Sequence, residues 1–281
     1  MTRRQALARA RELLASHKIE DASLEAELLL RHTLKIDRTA LFTEPDHAIT
    51  KRQEETYRQF VERRIQGEPS AYITGHREFF GLDFSIDRNV LIPRPETELL
   101  VEQTIARAGN YQNPVIIDVG TGCGAIAVSL AVHLSQAKIY ATDISPAALK
   151  IARRNSRKHK VQDKLTFLVG DLLGPLPISV DIITANLPYV LTADIPKVNT
   201  FGFEPLLALD GGLEGMDIIK RLCLQAKNRL RPSGFLLLEI GMGQSKLVAD
   251  LLYKLYPAAN IDLVSDLSGI KRVACLTLPA K

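Results

Sequence analysis

The sequence predicts an α/β fold: a mainly parallel β-sheet covered by helices, preceded by a small helical bundle and a β-hairpin. Three observations carry that expectation. From Asn113 onward, short apolar and β-branched runs alternate with segments of helical length. One such run passes directly into a glycine turn and a new helix, in VIIDVGTGCGAIAVSLA. The first 66 residues, by contrast, read as helix after helix.

In TRRQALARARELLASHK, Ala6, Ala10, Leu13, Leu14 and Ser16 fall near one helical face. Asp21 and Ser23 open a second helix, SLEAELLLRHTLK, and DRTALFTEP holds a short third piece stopped by Glu44-Pro45. A longer polar helix, ITKRQEETYRQFVERRIQ, runs to Gly67, which suits a C-terminal cap. Residues 1–66 carry 13 Lys/Arg against 11 Asp/Glu, so no face of one sign stands out, and no catalytic cluster is visible. In residues 67–92 aromatic and β-branched residues take over, punctuated by Gly75 and Gly81, which predicts a β-hairpin linker. Two prolines in PRPETELLVEQTIARAG then precede a helix from about Glu96, and the main domain is expected over 93–281.

Within it, strands are expected at Val115–Val119, Lys138–Thr142, Leu165–Val169, Val180–Ala185, Phe235–Ile240, Asp262–Val264 and Arg272–Leu278. The first five are separated by enough chain for crossover connections, so they run parallel. The last two are joined by SDLSGIK, too short for a crossover, and must be antiparallel. A parallel sheet that ends in an antiparallel hairpin resembles the seven-stranded, Rossmann-like fold of class I methyltransferases.

Bulk properties narrow the setting. Apolar residues make up 46% and charged residues 24% of the 281, the balance of an ordinary globular protein. A net charge of +4 permits an acidic partner but demands none. Cys123, Cys223 and Cys275 are odd in number and lack CxxC spacing, which points to a reducing compartment. The six histidines lack metal-ligand spacing, so no metal is expected. There is no apolar stretch of membrane-spanning length and no signal-peptide pattern, so a cytoplasmic protein is expected; a monomer is expected as well. The basic cluster ARRNSRKHK, Ala152 to Lys160, reads as a solvated helix face rather than a nucleic-acid site.

The glycine turn is the first chemical signal. Gly120, Gly122 and Gly124 allow positive φ and close approach of a ligand to the backbone. Asp143 ends the next strand 19 residues beyond Gly124, where an acid can accept hydrogen bonds from both hydroxyls of a ribose. Gly120-x-Gly122-x-x-Ala125 also satisfies the dinucleotide fingerprint, but no acid–base residue suited to hydride transfer is evident. Asp118 is placed either to face a ligand's ammonium group or to fix the loop. On the class I pattern, Asp171 and Leu172 of GDL lie where the adenine is contacted. Together these favour S-adenosyl-L-methionine over a nicotinamide.

The second signal is DIITANLPYV, in which an apolar strand ends in Asn186-Leu187-Pro188-Tyr189. Asn and Pro are both poor strand residues, so the tetrapeptide is either a turn or a site. At the carboxyl edge of a parallel sheet, beside the glycine loop, it stands where ligands bind. A sulfonium methyl needs no general acid, only an aimed lone pair. The lone pair of an amide or aryl amine is delocalised. The Asn186 side-chain oxygen and the Pro188 carbonyl are two acceptors that can hold its N–H bonds and turn the lone pair toward the methyl. Pro188 restricts the backbone, and Tyr189 offers a ring to a flat group.

Asn186-Leu187-Pro188-Tyr189 resembles the (Asn/Asp/Ser)-Pro-Pro-Tyr signature of methyltransferases that act on planar nitrogens. GEPSAYITGHREFFGLDFSIDRNVLIPRPETELLVE (Gly67 to Glu102) and FEPLLALDGGLEGMDIIKRL (Phe203 to Leu222) are similar to blocks of the release factor glutamine methyltransferases. That resemblance covers the whole chain. It implies methylation, by S-adenosyl-L-methionine, of the glutamine N5 in the Gly-Gly-Gln motif of class I peptide chain release factors, and so a part in translation termination. It further implies that Gly120, Thr121, Gly122, Cys123, Gly124, Asp143, Leu172 and Asn186 border the cofactor. Asn186, Leu187, Pro188 and Tyr189 would take the glutamine, with Asn186, Pro188 and Tyr189 catalytic and residues 1–66 docking the substrate protein. Leu187 departs from the usual first proline, which frees one φ angle and restores one N–H. Asn-Leu-Pro-Tyr is also similar to adenine dimethyltransferases, so adenine-N6 methylation of RNA or DNA is the runner-up, and a non-catalytic cofactor-binding adaptor the third reading. In the adenine enzymes a helical domain follows the cofactor loop; here it comes first, which favours a protein substrate. Pro93-Arg94-Pro95-Glu96-Thr97-Glu98 either folds over the cofactor, with Arg94 in contact with substrate, or is a structured linker; Glu204-Pro205 before Gly211-Gly212 either shapes the substrate loop or is structural, and Cys123 is assigned no reactivity.

Overall fold

A computed structural model describes residues 1–199 and 202–280, and the chain divides into two compact units, Met1–His76 and the remainder from Arg77. The first unit is the helical bundle. It holds α1 (Arg3–Ser16), α2 (Ala22–Leu34), α3 (Arg38–Thr43), α4 (Lys51–Ile65) and α5 (Ser70–Thr74). Capping boxes start α1 and α4: Thr2 pairs reciprocally with Gln5, and Thr50 with Gln53. Gly67, at φ 92°, follows α4 in the left-handed region, as its sequence position predicts. The core face of α1 is Ala6, Ala10 and Leu14, whereas Leu13 and Ser16 face solvent, because a four-residue step drifts less around the helix than a three-residue one. Asp21 precedes α2 but makes no side-chain cap, since its own backbone is left-handed. The Tyr57 hydroxyl donates to the Ala26 carbonyl at 2.9 Å and pins α4 to α2. Ile73 of α5 packs into the same core as Leu14, Leu30 and Val61, so this unit extends past Gly67.

The second unit opens on a two-strand hairpin, β1 (His76–Phe79) and β2 (Leu82–Ser85). Phe80 and Gly81, at φ 52° and 70°, form the two-residue turn that the right-handed strand twist requires. The hairpin is shorter than the sequence predicts, because Ala71 to Thr74 are helical and residues 86–94 are irregular. A 3-10 turn at Pro95–Thr97 leads into α6 (Glu98–Ala108).

Then come β3 (Val115–Val119), α7 (Ala125–His133), β4 (Lys138–Asp143), α8 (Pro146–Lys158), β5 (Leu165–Val169) and β6 (Val180–Ala185). They are followed by α9 (Ile195–Val198), α10 (Asp217–Ala226), β7 (Leu230–Glu239), α11 (Ser245–Leu255), β8 (Asn260–Ser265) and β9 (Lys271–Thr277). The seven-stranded sheet has the order β5-β4-β3-β6-β7-β9-β8. The first five strands in that order are parallel, and β9 is antiparallel to both its neighbours, as the lengths of the connections require. β7 begins earlier than its apolar run. Ser233 sits at φ 58° beside Pro232, and the pairing with β6 slips there before resuming at Phe235.

One face of the sheet, bearing Ile117, Val119, Ile183, Leu236 and Leu238, shares a core with Leu222 and Cys223 of α10 and Val248 and Leu252 of α11. The opposite face carries Thr184, whose hydroxyl meets that of Thr104 on α6. β3 and β6 are neighbours, while the chain between them travels outward through β4 and β5. The crevice above this pair is therefore the topological switch point, where open α/β sheets bind ligands. No helix among the described residues is long and apolar enough to cross a membrane.

Candidate active site

Pairing register builds the site. Val119 of β3 stands beside Thr142 of β4 and Ala185 of β6, and Ala185 beside Leu238 of β7. One residue further along, Gly120, Asp143, Asn186 and Glu239 therefore emerge side by side at the carboxyl edge.

The glycine loop is held from behind. Gly120 and Thr121 both donate backbone N–H to the Thr142 carbonyl at 2.9 Å. Asp118 is fully buried and fixes the loop: its Oδ2 accepts the Thr121 hydroxyl at 2.6 Å and the Ala127 N–H at 3.2 Å, capping α7. Burial pushes its carboxyl up to about 7, against the pull of those two donors. Gly124, at φ 84°, brings α7 so close to α8 that a Cβ there would lie 3.1 Å from that of Ala152.

Above the loop lies a cavity of about 590 Å³. Gly120, Gly122, Asp143, Ile144, Leu172 and Asn186 line it. The Asp143 carboxylate accepts the Gly122 N–H at 2.8 Å on one oxygen and the Ser145 N–H at 2.9 Å on the other. Burial raises its pKa, and the backbone donors oppose the rise. These residues fit S-adenosyl-L-methionine. The open space where a Gly122 side chain would stand admits the ligand, Asp143 supplies acceptors for a ribose, and Leu172 and Ile144 give an apolar wall for a purine. Thr121, Cys123 and Gly124 do not line the cavity; they are buried and shape the loop from behind. The Cys123 thiol is pushed up to about 12 by burial, which leaves it inert. Asp171 borders the cavity but is paired with Arg221.

A second cavity of about 200 Å³ adjoins the first and is bordered by Arg94, Tyr189 and Glu204. Asn186 and Leu187 line both. The Asn186 Nδ2 donates to the Thr97 hydroxyl at 3.0 Å. Leu187 is buried, and a Cβ on Gly120 would lie 3.1 Å from its Cδ2, so the leucine packs where the strand and loop meet. The Pro188 backbone passes so close to Gly211 that a Cβ there would be 2.8 Å from the Pro188 oxygen. The next residues are fixed on both sides: Val190 exchanges backbone hydrogen bonds with Leu209 and Gly211, and Gln244 Nε2 donates to the Tyr189 carbonyl at 3.0 Å. The Tyr189 hydroxyl donates to Glu239 Oε1 at 3.3 Å, and burial raises its pKa. Buried Glu204 pairs with Arg94 and accepts the Ile92 N–H at 3.1 Å, so it ties the 92–94 segment to the wall of the smaller cavity.

Sequence reasoning missed Glu239 and Gln244 at the site and Asn155 behind it, and it reached Thr97 only as one residue of the Pro93 to Glu98 segment. Asn155, fully buried, bonds the Ser85 backbone at both its N–H (2.8 Å) and carbonyl (2.9 Å), and donates to the Cys123 carbonyl at 2.9 Å. Its helix belongs to the basic cluster, where Arg154, Arg157 and Lys160 are exposed as a solvated face would be, while Lys158 pairs with Asp83 and His159 contacts the Asp83 carbonyl of β2. Glu239 alone carried a signal: like Asp143, it is an acid that closes an apolar strand, in FLLLE. Among the described residues no His/Cys/Asp/Glu group suited to a metal occurs.

Two family models match the chain. One, described as the PrmC N-terminal domain, covers residues 5–75, and the other, a methyltransferase domain, covers residues 111–239. The release factor glutamine methyltransferase of Moorella thermoacetica is 42% identical over 274 residues, 97% of each chain. That of Koribacter versatilis is 41% identical over 278 residues, again 97% of each. Among solved structures, the ribosomal protein L11 methylase of Lactobacillus delbrueckii subsp. bulgaricus shares the fold, with a TM-score of 0.51 and 21% identity, covering 69% of this chain and 84% of that one. With such identity over nearly its full length, and a site that fits S-adenosyl-L-methionine, the chain belongs to the release factor glutamine methyltransferase family.

Proposed function

We propose that the chain methylates the side-chain amide nitrogen, N5, of the glutamine in the Gly-Gly-Gln motif of class I peptide chain release factors, in the cytoplasm. The observation that carries this reading is Asn186, which stands on the shared wall of a cofactor-sized and a side-chain-sized cavity. When bound, S-adenosyl-L-methionine supplies an electrophilic methyl group on sulfur that leaves a neutral thioether. The protein has then only to aim the acceptor. Asp143 and Leu172 hold the nucleoside, and Gly120 and Gly122 give it room. With Nδ2 engaged by Thr97, Asn186 turns Oδ1 to the glutamine amide, and the Pro188 carbonyl accepts its second N–H. Gripped by both, the nitrogen becomes more tetrahedral and its lone pair is directed at the methyl. The Tyr189 ring lies against the amide plane. The cationic product amide is acidic and loses its proton to water, so no strong base is required.

A glutamine side chain presents little surface, so we assign docking of the rest of the release factor to the helical bundle that includes residues 1–66. The test is incubation with methyl-labelled cofactor and three acceptors: a release factor, the same factor with its motif glutamine replaced by alanine, and total RNA or DNA. Label in the intact factor alone is expected. Label in nucleic acid with none in protein would overturn the reading in favour of adenine methylation.

A further inference from the structure

We propose that Gln244 is a positioning residue that aims the Pro188 carbonyl by clamping the peptide group next to it. This rests on the Pro188 carbonyl accepting a glutamine N–H. Gln244 immediately precedes α11, in the turn that follows β7, and is 6% exposed. Its side-chain amide joins three separate segments. Oε1 accepts the Gly241 N–H at 2.8 Å, and Nε2 donates to the Tyr189 carbonyl at 3.0 Å and to the Gly215 carbonyl at 3.2 Å. One N–H on one side and two carbonyls on the other admit a single orientation of the amide, and both hydrogens it can give are used. The fit is close. A Cβ on Gly215 would overlap the Tyr189 oxygen and lie 2.6 Å from Gln244 Nε2, and a Cβ on Gly241 would lie 3.0 Å from Tyr189 Cδ2.

The effect falls on one peptide group. The unit joining Tyr189 to Val190 is tied at both ends, its carbonyl to Gln244 and its N–H to the Leu209 carbonyl at 3.0 Å. On the other side, the Pro188 ring fixes its own φ. Between these fixed points lies the Pro188–Tyr189 unit, and among the described residues none donates to its carbonyl. One motion is left, a counter-rotation about Pro188 ψ and Tyr189 φ that turns this plane alone. The Gly211 backbone limits it: a Cβ on Gly211 would lie 2.8 Å from both the Pro188 oxygen and Tyr189 Cα. Gln244 holds Tyr189 against that stop. Without its donors the Tyr189 carbonyl turns away, Tyr189 moves off Gly211, and the Pro188 carbonyl loses its aim. Gln244, Gly215 and Gly241 line neither cavity, so the loss belongs to kcat rather than to cofactor affinity.

Three variants test this with release factor as substrate and calorimetry for the cofactor. Gln244→Glu keeps the length of the side chain and the acceptor for Gly241 but, when ionised, has no donor for Tyr189. It should lower kcat about 10- to 100-fold, with KM for release factor within about threefold and cofactor Kd within about twofold of the parent. Measured against the parent at each pH, its kcat should recover as pH falls, because a protonated carboxyl regains one donor. Gln244→Met has no donor at any pH and should be as slow without recovering. Gly215→Ala leaves Gln244 in place but drives a methyl between it and Tyr189; it should be slowed to a similar degree, and it decides the matter if Gln244→Glu fails to fold. Independently of turnover, the Val190 amide nitrogen signal in NMR spectra of the full chain without cofactor senses the bond to the carbonyl before it. That signal should move in Gln244→Glu and Gln244→Met, whereas the Gly241 signal should move much further in Gln244→Met. Full kcat in a folded Gln244→Met, equal losses of kcat and cofactor affinity, or an unmoved Val190 signal would overturn the positioning role. If Asn186→Ala also kept full activity, the reading of the substrate site itself would fall; if only the Gln244 variants kept it, the site would stand and this inference alone would be lost.

Discussion

Asn186 and Asp143 occupy equivalent places, each one step past the residue that pairs with Val119 of β3, on opposite sides of that strand, and on the proposed reading they serve opposite sides of the reaction. On the proposed reading, Asn186→Ala removes the acceptor that aims the substrate, at a residue that lines both cavities. Turnover should fall on the order of 100-fold or more with a smaller loss of cofactor affinity, read by steady-state kinetics beside calorimetry. Asp143→Ala should show the reverse bias. Loss of a charged acceptor for two hydroxyls costs roughly 2–3 kcal/mol, about 30- to 150-fold in Kd. An unchanged Kd in a folded variant would remove Asp143 from the ribose site. Both residues were legible in the sequence because each interrupts an apolar strand with a polar side chain, a placement that folding alone does not favour. Thr97 was not, because a threonine in a Pro-Glu-Thr turn becomes informative only once chain pairing has carried Asn186, 89 residues away, to within a hydrogen bond of it.

Secondary-structure elements were read well where burial dictates them. β3 and β6 are buried along almost their whole length, so both could be delimited from their largely apolar runs; the run of β5 is as clear although β5 is an edge strand with Thr166 and Val169 exposed. The apolar run of β7 begins only at Phe235, because Pro232 and Gly234 lie between it and Leu230; a register shift absorbs them, and such shifts follow from pairing partners rather than from local sequence. The junction of loop and helix at Gly124 shows how tightly the elements are fitted. Alanine there would have to adopt φ near 84° and press on Ala152 at 3.1 Å. We expect Gly124→Ala to cost about 1–3 kcal/mol of stability, seen as a lower melting temperature, and to weaken cofactor binding because the loop must shift to relieve the contact. Unchanged melting would show that α7 and α8 can part without penalty.

For the molecule as a whole, two buried acids govern how stability responds to pH. Asp118 and Glu239 both titrate near 7 when folded, against 3.8 and 4.5 as free side chains. Between those limits the folded chain binds more protons than the unfolded one, so stability is full below about pH 4 for these two groups and declines as pH rises through 7. Denaturant midpoints should therefore fall across that window from these two groups, and Asp118→Asn with Glu239→Gln should flatten the slope; an identical slope in the double variant would show that other groups set it. The helical unit bears on a different property. Because Ile73 belongs to its core, removal should extend through residue 75. Such a truncation should keep cofactor affinity but sharply lower kcat/KM on intact release factor and spare a short Gly-Gly-Gln peptide. Equal losses on both, in a protein that still melts cooperatively, would rule out docking by the bundle.

Asn155 links these scales. Its one amide holds the Ser85 backbone of the hairpin with one hand and the Cys123 carbonyl of the cofactor loop with the other. Release of the hairpin would take from Asn155 two of its three bonds and so loosen its hold on the loop, and a quieter loop should in turn steady the hairpin. In hydrogen–deuterium exchange, adding S-adenosyl-L-methionine should slow the Ser85 amide, although Ser85 does not line the cofactor cavity. In Asn155→Ala the loop's own protection should survive while that of Ser85 no longer follows it. The hairpin would then report, from outside the pocket, whether the cofactor is in place.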